Sequence, residues 1–336
     1  MNRFSYSRAA DVAEAVRSGG ADARFLAGGT NLVDLMKENV EQPARLVDVN
    51  RLPLNRIEEL PDGGLRLGAL ATNADTAYDD RVATRYPLLA SAILAGASPQ
   101  LRNAATNGGN LNQRTRCYYF YDTATPCNKR MPGSGCSAIG GLNRIHAILG
   151  ASDACIATHP SDMCVALAAL DASVRVSGPA GDRTIRIADY HRLPGDEPQR
   201  DNTLDPGELV TAIDLPAQDF SANYTYLKLR DRLSYAFALV SVAVALKMDG
   251  GTIGEARIAL GGVAHKPWRA HSAEGLLNGN PPSPANFGAA ADALLQGAVG
   301  QGKNDFKIPL ARKAIVRALQ QAAAGTPQSQ TDKRVA

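Results

Sequence analysis

The organisation of this chain is clearest around two glycine-rich stretches: residues 25–37 read FLAGGTNLVDLMK, and residues 103–111 read NAATNGGNL. In the first, the pattern predicts an apolar strand, a turn at 27–31, and a helix capped by Thr30 or Asn31. The second turn, 106–110, follows a helical stretch that ends near Ser98. Consecutive glycines let backbone N–H groups converge on an oxygen atom without a Cβ in the way. Each turn is therefore a candidate phosphate site, and a plain strand-to-helix connection explains each turn equally well.

Two common nucleotide-binding motifs do not match these turns. Neither turn has the spacing GxGxxG, and neither carries the lysine of a P-loop. The sequence therefore argues against a Rossmann dinucleotide site and against an NTPase.

Size and pattern favour two or three α+β domains. The chain has 336 residues, 45% of them hydrophobic and 21% charged, which is typical of a globular protein larger than one domain. Strands and helices alternate without a strict βαβ rhythm, starting with β-α-β in the first fifty residues. We expect a short strand at 154–158 (ACIAT), and a strand or a helix in the apolar run after Phe237. Two helices, around 270–279 and 308–325 and separated by a Pro-rich loop, should close the fold.

Charge and hydropathy exclude several classes of partner. The net charge of +3 is too small to indicate nucleic acid or an anionic membrane. The N-terminal segment has no apolar core of a signal peptide, and no run of 18 apolar residues occurs. A cytoplasmic location is the default expectation, although a chain exported in its folded state on the signal of a partner would look the same.

Four of the five cysteines fall between residues 117 and 155. The spacing is Cys117-x9-Cys127-x8-Cys136-x18-Cys155, in an irregular segment rich in Gly and Pro. It differs from the paired CxxC knuckles of a zinc ribbon, and a [4Fe–4S] cluster accepts such varied spacing. Spacing alone leaves an iron–sulfur cluster, zinc and disulfides as open alternatives. Cys164 lies in an apolar helical pattern and is interpreted as a core thiol.

Other polar residues form no recognisable catalytic set. The five histidines are scattered without HExxH or i,i+4 pairs and are interpreted as structural, and no G-x-S-x-G elbow occurs. Basic side chains flank the cysteines and would favour an anionic cluster, or would be ordinary surface charge: Arg114, Arg116, Lys129 and Arg130.

In combination, these stretches resemble the FAD-binding subunit of the xanthine dehydrogenase family of molybdenum hydroxylases. The resemblance includes ATHPSDMCVALAALDA (157–172) and LGGVAHKPWRA (260–270) and covers nearly the whole chain in order. Residues 114–136 and 231–243 are especially similar to the medium subunit of periplasmic aldehyde oxidoreductases, which carries an additional iron–sulfur cluster.

The resemblance implies the α+β fold of vanillyl-alcohol oxidase and molybdenum hydroxylase flavoproteins, with two FAD-binding subdomains and a C-terminal α+β domain. The implied ranges are 1–54 and 55–220 for the subdomains, with the iron–sulfur loop at about 112–157, then 221–328 for the C-terminal domain and 329–336 for a polar tail. The implied FAD contacts are Ala27, Gly28, Gly29, Thr30, Asn31, Leu32, Thr106, Asn107, Gly108, Gly109, Asn110, Asp162, Lys228 and Phe237. The implied [4Fe–4S] ligands are Cys117, Cys127, Cys136 and Cys155. Asn107 departs from the aliphatic residue that the family often has there.

The implied function is electron transfer within an oxidoreductase. A large subunit with the molybdenum cofactor would oxidise an aldehyde or heterocycle. Electrons would pass through [2Fe–2S] centres of a small subunit to FAD on this chain, and then to an external acceptor, in a heterotrimer. Two alternatives remain: a stand-alone flavin oxidase or reductase of the same fold, and a non-redox binding protein in which the cysteines hold zinc.

Overall fold

The chain builds three β-sheets one after another, each with its own helices. The protein is represented by a computed structural model that describes residues 1–330. The first sheet contains β1 (Ser5–Arg8), β2 (Ala23–Leu26) and β3 (Arg45–Asp48), which are parallel in the order β1-β3-β2. Its crossover helices are α1 (Val12–Ser18) and α2 (Leu32–Lys37). Asp11 caps α1 by accepting a hydrogen bond from Glu14 N–H, and Gly19 ends it.

The second sheet is antiparallel and has five strands in the order β4-β5-β8-β6-β7. Its strands are β4 (Ile57–Glu59), β5 (Leu65–Gly68), β6 (Ser173–Gly178), β7 (Gly181–Arg186) and β8 (Leu209–Leu215). The helices between them are α3 (Asn73–Tyr78), α4 (Asp80–Arg85), α5 (Pro87–Ala95), α6 (Pro99–Arg102), α7 (Asn107–Leu111), α8 (Tyr118–Tyr121), α9 (Asp162–Ala169) and α10 (Ile187–Tyr190). Helices α5 and α9 are buried on nearly every side.

The third sheet is antiparallel, in the order β11-β10-β9, and carries a helical layer. The strands are β9 (Asn223–Leu229), β10 (Val240–Asp249) and β11 (Thr252–Gly261), and the helices are α11 (His271–Gly275), α12 (Pro284–Leu294) and α13 (Lys307–Ala323). The amphipathic α13 packs across β9 and β10, and α12 packs against α13. Other residues of this sheet, including Tyr226 and Ala259, enter the core of the second unit.

The structure corrects several details of the sequence prediction. The apolar run after Phe237 is strand β10, and β1 adds a strand before the predicted β-α-β unit. Helix α12 occupies the predicted Pro-rich loop, because Pro284 stands in its first turn and Ser283 caps it. Residues 154–158 are not a strand: a Ser152–Cys155 bridge turns the backbone, and Cys155 and the two residues after it pack inside the cysteine segment. The predicted tail 329–336 lies outside the described residues from 331 onward.

Within the described residues, no helix is both long and apolar enough to span a bilayer. The parallel first sheet, the antiparallel second sheet and the helix-covered third sheet together make an α+β fold, as the sequence predicts.

We predict that Glu274→Ala destabilises the C-terminal unit by about 3 kcal/mol. It leaves the buried Ile258 N–H without its acceptor, and it removes the carboxylate that pairs with Arg269, which keeps only Asp171 and the Ala168 carbonyl. Urea denaturation measures the change in the free energy of unfolding. The matched control is Asp292→Ala, whose partner Arg312 is exposed, and which should cost less than about 1 kcal/mol. Equal effects of the two substitutions would contradict this account.

The buried Lys307 should make the free energy of unfolding depend on pH. Its ammonium is fully buried and donates to the carbonyls of His146 and Gly262, and burial lowers its pKa to about 7. Between that pKa and the ordinary value of 10.5, the unfolded chain binds more protons, so this group makes stability rise with pH. The difference in unfolding free energy between the wild type and Lys307→Met should therefore change in favour of the wild type from pH 7 to pH 10. If this difference in unfolding free energy does not change between pH 7 and pH 10, the pKa of Lys307 is not lowered.

Candidate functional site

The first glycine turn offers unused hydrogen-bond donors. Gly29 has φ 71°, the left-handed region that favours glycine, and so allows the turn to curl. Within residues 1–330, the N–H groups of the four residues 28–31 donate to no protein acceptor. Four consecutive free N–H groups form a concave donor surface of the kind that holds phosphate oxygens. This turn therefore fits a diphosphate.

Asn31 adds a fifth donor and corrects the predicted cap. Its side chain makes no capping hydrogen bond to α2. Instead Oδ1 accepts a hydrogen bond of 2.9 Å from Arg114 N–H, which fixes the side chain against the start of the cysteine segment. Its Nδ2 is buried and has no partner in the described chain. A buried amide with an unused donor indicates a missing acceptor, and a phosphate oxygen would supply one.

The two glycine turns touch each other. A Cβ placed on Gly28 would lie 1.8 Å from the carbonyl oxygen of Ala104, so only glycine allows the first turn to approach the chain that enters the second. The contact brings the two predicted turns to one place.

The second turn differs from the first because its N–H groups are occupied. Asn107 N–H donates to Ala71 O at 3.0 Å, and Gly108 N–H donates to Ala69 O at 2.8 Å. The N–H groups of Gly109 and Asn110 donate to Thr106, one to Oγ1 at 3.2 Å and one to its carbonyl at 2.8 Å. A ligand would displace a protein hydrogen bond here, so this turn acts as a docked support against β5 rather than as an open donor surface.

Asn107 carries much of this support. Its fully buried side chain donates to Gly68 O at 3.2 Å and to Thr76 Oγ1 at 2.8 Å, and accepts from Asn73 Nδ2 at 3.1 Å. Asn110 is less buried and links Asn73 to Ser161 through its amide. Asn107, which stands where the family often has an aliphatic residue, therefore makes hydrogen bonds inside the protein.

Asp162 and Lys228 form a buried ion pair with an O–N distance of 2.7 Å. Tyr226 donates its hydroxyl to the other carboxylate oxygen at 2.7 Å, and burial together with the Asp162 charge raises the pKa of Tyr226 well above its ordinary value. Phe237 lies apart from this pair: it is about half exposed and stacks on the Arg116 guanidinium at 5.0 Å. The predicted flavin residues thus include one rigid charged pair and one exposed ring.

The cysteine segment encloses a small cavity. Within 112–157, all of it described, α8 is the single helix, and turns and bridges such as Cys127–Cys136 hold the rest. Four side chains contribute sulfur to the cavity lining: Cys117, Cys127, Cys136 and Cys155. All four thiols are free, and Cys136 is the most exposed of them. Leu35 of α2 packs against this cluster, so the helix after the first glycine turn also touches the cysteine cavity.

Within residues 1–330, the four cysteines are not gathered as tightly as the ligands of a single ion. Groups of metal-binding side chains with ligand atoms all within 4.8 Å include no three of these cysteines. Tetrahedral zinc with Zn–S bonds of about 2.3 Å needs S–S separations of about 3.8 Å. A four-iron cube holds its thiolates at separated corners and fits the wider spacing. Burial raises the pKa of Cys117 to about 12 and that of Cys155 to about 11, so a metal would have to displace their protons.

A buried charge network that the sequence does not reveal anchors this segment. Lys129 uses its three N–H donors on Pro198 O, Asp201 Oδ1 and His265 Nε2. Asp201 also pairs with Arg114 at 2.6 Å, and Arg114 pairs with Glu41. Arg114 and Lys129 are therefore internal anchors of this segment rather than ordinary surface charges.

Arg130 and Arg116 have different roles. Arg130 donates to the carbonyls of Tyr119 and Phe120 at 2.8 Å, which ties the loop to α8. Arg116 is half-buried beside Asp34 and Tyr121. Close to the sulfurs, His146 Nε2 lies 3.0 Å from Cys117 Sγ, and burial and Lys307 lower the pKa of His146 to about 4, so the imidazole is neutral.

The histidines are less scattered than the sequence suggests. His159, Cys164 and His191 bring their ligand atoms within 4.8 Å of one another. The 31 residues between the two histidines give no spacing signal, because α9, β6 and β7 intervene.

Two family models match the chain. Residues 2–218 match the FAD binding domain in molybdopterin dehydrogenase, and residues 224–322 match the CO dehydrogenase flavoprotein C-terminal domain. The chain is 50% identical to the aldehyde oxidoreductase FAD-binding subunit PaoB of Escherichia coli (strain K12) over 96% of this chain and 99% of that protein. It is 28% identical to the carbon monoxide dehydrogenase medium chain of Afipia carboxidovorans over 96% and 97%, respectively.

Solved structures show the same fold. CO dehydrogenase from Oligotropha carboxidovorans superposes with a TM-score of 0.75 at 27% identity, over 96% of this chain and 98% of that one. The relatives are subunits of oxidoreductases. The matching family models, the free donors of the first glycine turn and these relatives establish that the chain belongs to the FAD-binding subunits of the molybdenum hydroxylase family.

Proposed function

We propose that this chain is the FAD- and [4Fe–4S]-containing electron-transfer subunit of a molybdenum-dependent aldehyde oxidoreductase. The observation that carries the proposal is the pairing of two features on α2: the free N–H groups 28–31 stand at its start, and Leu35 packs into the small apolar cluster that contains Cys117, Cys127 and Cys155. The 50% identity to an aldehyde oxidoreductase subunit over nearly the whole chain favours aldehydes as the class of substrate.

The residues of this chain would bind and orient the cofactor. The N–H groups 28–31 and Asn31 Nδ2 would donate to the diphosphate of FAD, while the docked second turn fixes the first by its contact at Gly28. Asp162 and Lys228 would set the electrostatic environment of the flavin, with Tyr226 holding the carboxylate. Bound flavin supplies a two-electron carrier that also accepts single electrons.

The four cysteines would hold the [4Fe–4S] cluster. Supporting this are their convergence on one cavity and the fact that, within residues 1–330, no three of them form a group with ligand atoms all within 4.8 Å. The Lys129 ammonium, fixed by Asp201, opposes the rise in the pKa of Cys155 and so would favour its thiolate.

Partners complete the proposed reaction. A molybdenum-cofactor large subunit would oxidise the aldehyde, a [2Fe–2S] small subunit would deliver the electrons, and an external acceptor would take them from this chain, in a heterotrimer. The location would be periplasmic if a partner carries an export signal, and cytoplasmic otherwise. A stand-alone flavin enzyme and a zinc-stapled binding protein are the rival functions, and the sulfur separations argue against the second.

We predict that Asn31→Asp weakens FAD binding by tenfold or more. The new carboxylate keeps the acceptor for Arg114 N–H but replaces the unused Nδ2 donor with negative charge toward the diphosphate. Titration of the deflavinated protein with FAD, followed by flavin fluorescence, measures the affinity. The exposed Asn280→Asp is the matched control and should bind FAD normally. Wild-type affinity in Asn31→Asp would remove the first turn from the binding site.

We predict that Cys127→Ser lowers iron and sulfide content at least fivefold and retains most of the FAD, because the cysteine cavity loses one ligand while the first turn is unchanged. Iron and sulfide assays and the visible spectrum of anaerobically purified protein measure both cofactors. Cys164→Ala, outside the cavity, should keep its iron. Wild-type protein that contains no iron, and whose zinc is lost in Cys127→Ser, would support the zinc-binding rival.

A further inference from the structure

We propose that His159, Cys164 and His191 form a second metal site that binds one soft late transition-metal ion, Zn²⁺ or Cu⁺. Their ligand atoms all lie within 4.8 Å of one another, and the two imidazole rings are 4.2 Å apart between centroids. The site is separate from the cysteine cavity in its residues and does not rest on the proposed function.

The site is enclosed. The exposed fractions are 9% for His159, 0% for Cys164 and 3% for His191, in the core beside Tyr190. An ion held there would be largely shielded from solvent.

Two buried nitrogens have no partner. His159 Nε2 and His191 Nδ1 make no hydrogen bond within the described chain. Leaving a buried polar atom unsatisfied costs about 1–3 kcal/mol, so two such atoms beside one thiol require an explanation. One metal ion would satisfy both nitrogens.

The protonation of His191 suits metal binding. Its Nε2 lies 2.9 Å from the carbonyl oxygen of Leu111, and because a carbonyl only accepts, Nε2 carries the proton. Nδ1 then presents a lone pair toward the site. A ligating histidine that donates its other N–H to a backbone carbonyl is the usual outer-shell arrangement of metal sites.

His159 can bind a metal through Nε2 only if its ring proton moves to Nδ1. Ser161 N–H approaches its Nδ1 at 3.4 Å, a long contact near the limit of a hydrogen bond. Moving the ring proton to Nδ1 frees Nε2 as a ligand and gives up only this weak contact.

The donor set selects the class of ion. Two imidazoles and one thiolate suit zinc and copper, whereas calcium and magnesium require oxygen ligands. The nearby Asp162 carboxylate is already shared by Lys228 and Tyr226.

Such an ion would join three parts of the FAD-binding region. His191 follows α10 and holds Leu111 at the end of the second turn, Cys164 lies in α9, and His159 precedes it. The metal would therefore reinforce the support behind the second glycine turn.

The test is the metal content of the full-length chain, purified anaerobically with any partners after growth with added zinc and copper. We expect about one zinc or copper per chain, and the element found distinguishes the two ions. Cys164→Ala and His191→Gln should lower this content at least tenfold without loss of iron. Cys127→Ser should show the reverse, with iron lost and this metal retained, so failure of the cluster and failure of this site are distinguishable.

X-ray absorption at the zinc or copper edge of the wild type provides a measurement that does not depend on variants that could misfold. We expect one sulfur at about 2.3 Å and nitrogen at about 2.0–2.1 Å. Less than about 0.1 zinc and copper per chain, or a metal content that none of the substitutions changes, would overturn the proposal. An ordered water between the two rings in a crystal structure would also overturn it.

Discussion

The arrangement of the site depends on one buried charge network centred on Arg114. Its backbone N–H holds Asn31 in the first glycine turn, and its guanidinium binds Asp201 and Glu41. Asp201 in turn holds Lys129, which lies between two of the cavity cysteines. Burial acts to raise the pKa of Asp201, but Arg114 and Lys129 outweigh it and hold that pKa well below its ordinary value. One charged cluster thus positions both the FAD turn and the cysteine segment.

A buried network of this kind gives little net stability, because desolvating the charges opposes their attraction. Its effect lies in geometry. Lys129 has all three donors engaged, so its ammonium stands at a fixed place relative to Cys155 instead of moving as a surface lysine would. Removing any one partner would leave a charge buried without compensation, which makes the network cooperative.

The sequence predicted the parts of the fold that depend on local pattern. The first glycine turn lies between β2 and α2 as expected, whereas the second follows α6 and its residues 107–110 belong to α7. It did not predict features that depend on distant contacts. Asn31 looks like a helix cap, but Arg114, 83 residues away, takes its side-chain oxygen.

The two glycine turns look alike in sequence, and only the packing of the second against β5 shows that its N–H groups are occupied. His159 and His191 meet because the second sheet folds back between them, which no spacing rule could show. The resemblance supplied what these patterns could not: the order of the motifs along the chain and the identity of the cofactor.

The cysteine segment is ordered although it contains little regular secondary structure. From 112 to 157 the chain has one four-residue helix. Its own small core consists of Cys117, Cys127, Cys155 and a few apolar neighbours such as Phe120, and only a short stretch around Ile148 packs into the C-terminal core. So little apolar area cannot offset the conformational entropy of ordering more than forty residues. The segment is ordered by Arg130 bonding to its own carbonyls, by the Lys129 network at its edge, and, under the proposed function, by the iron–sulfur bonds at its centre. A cluster would then take the place of a hydrophobic core, because metal–ligand free energy contributes directly to folding.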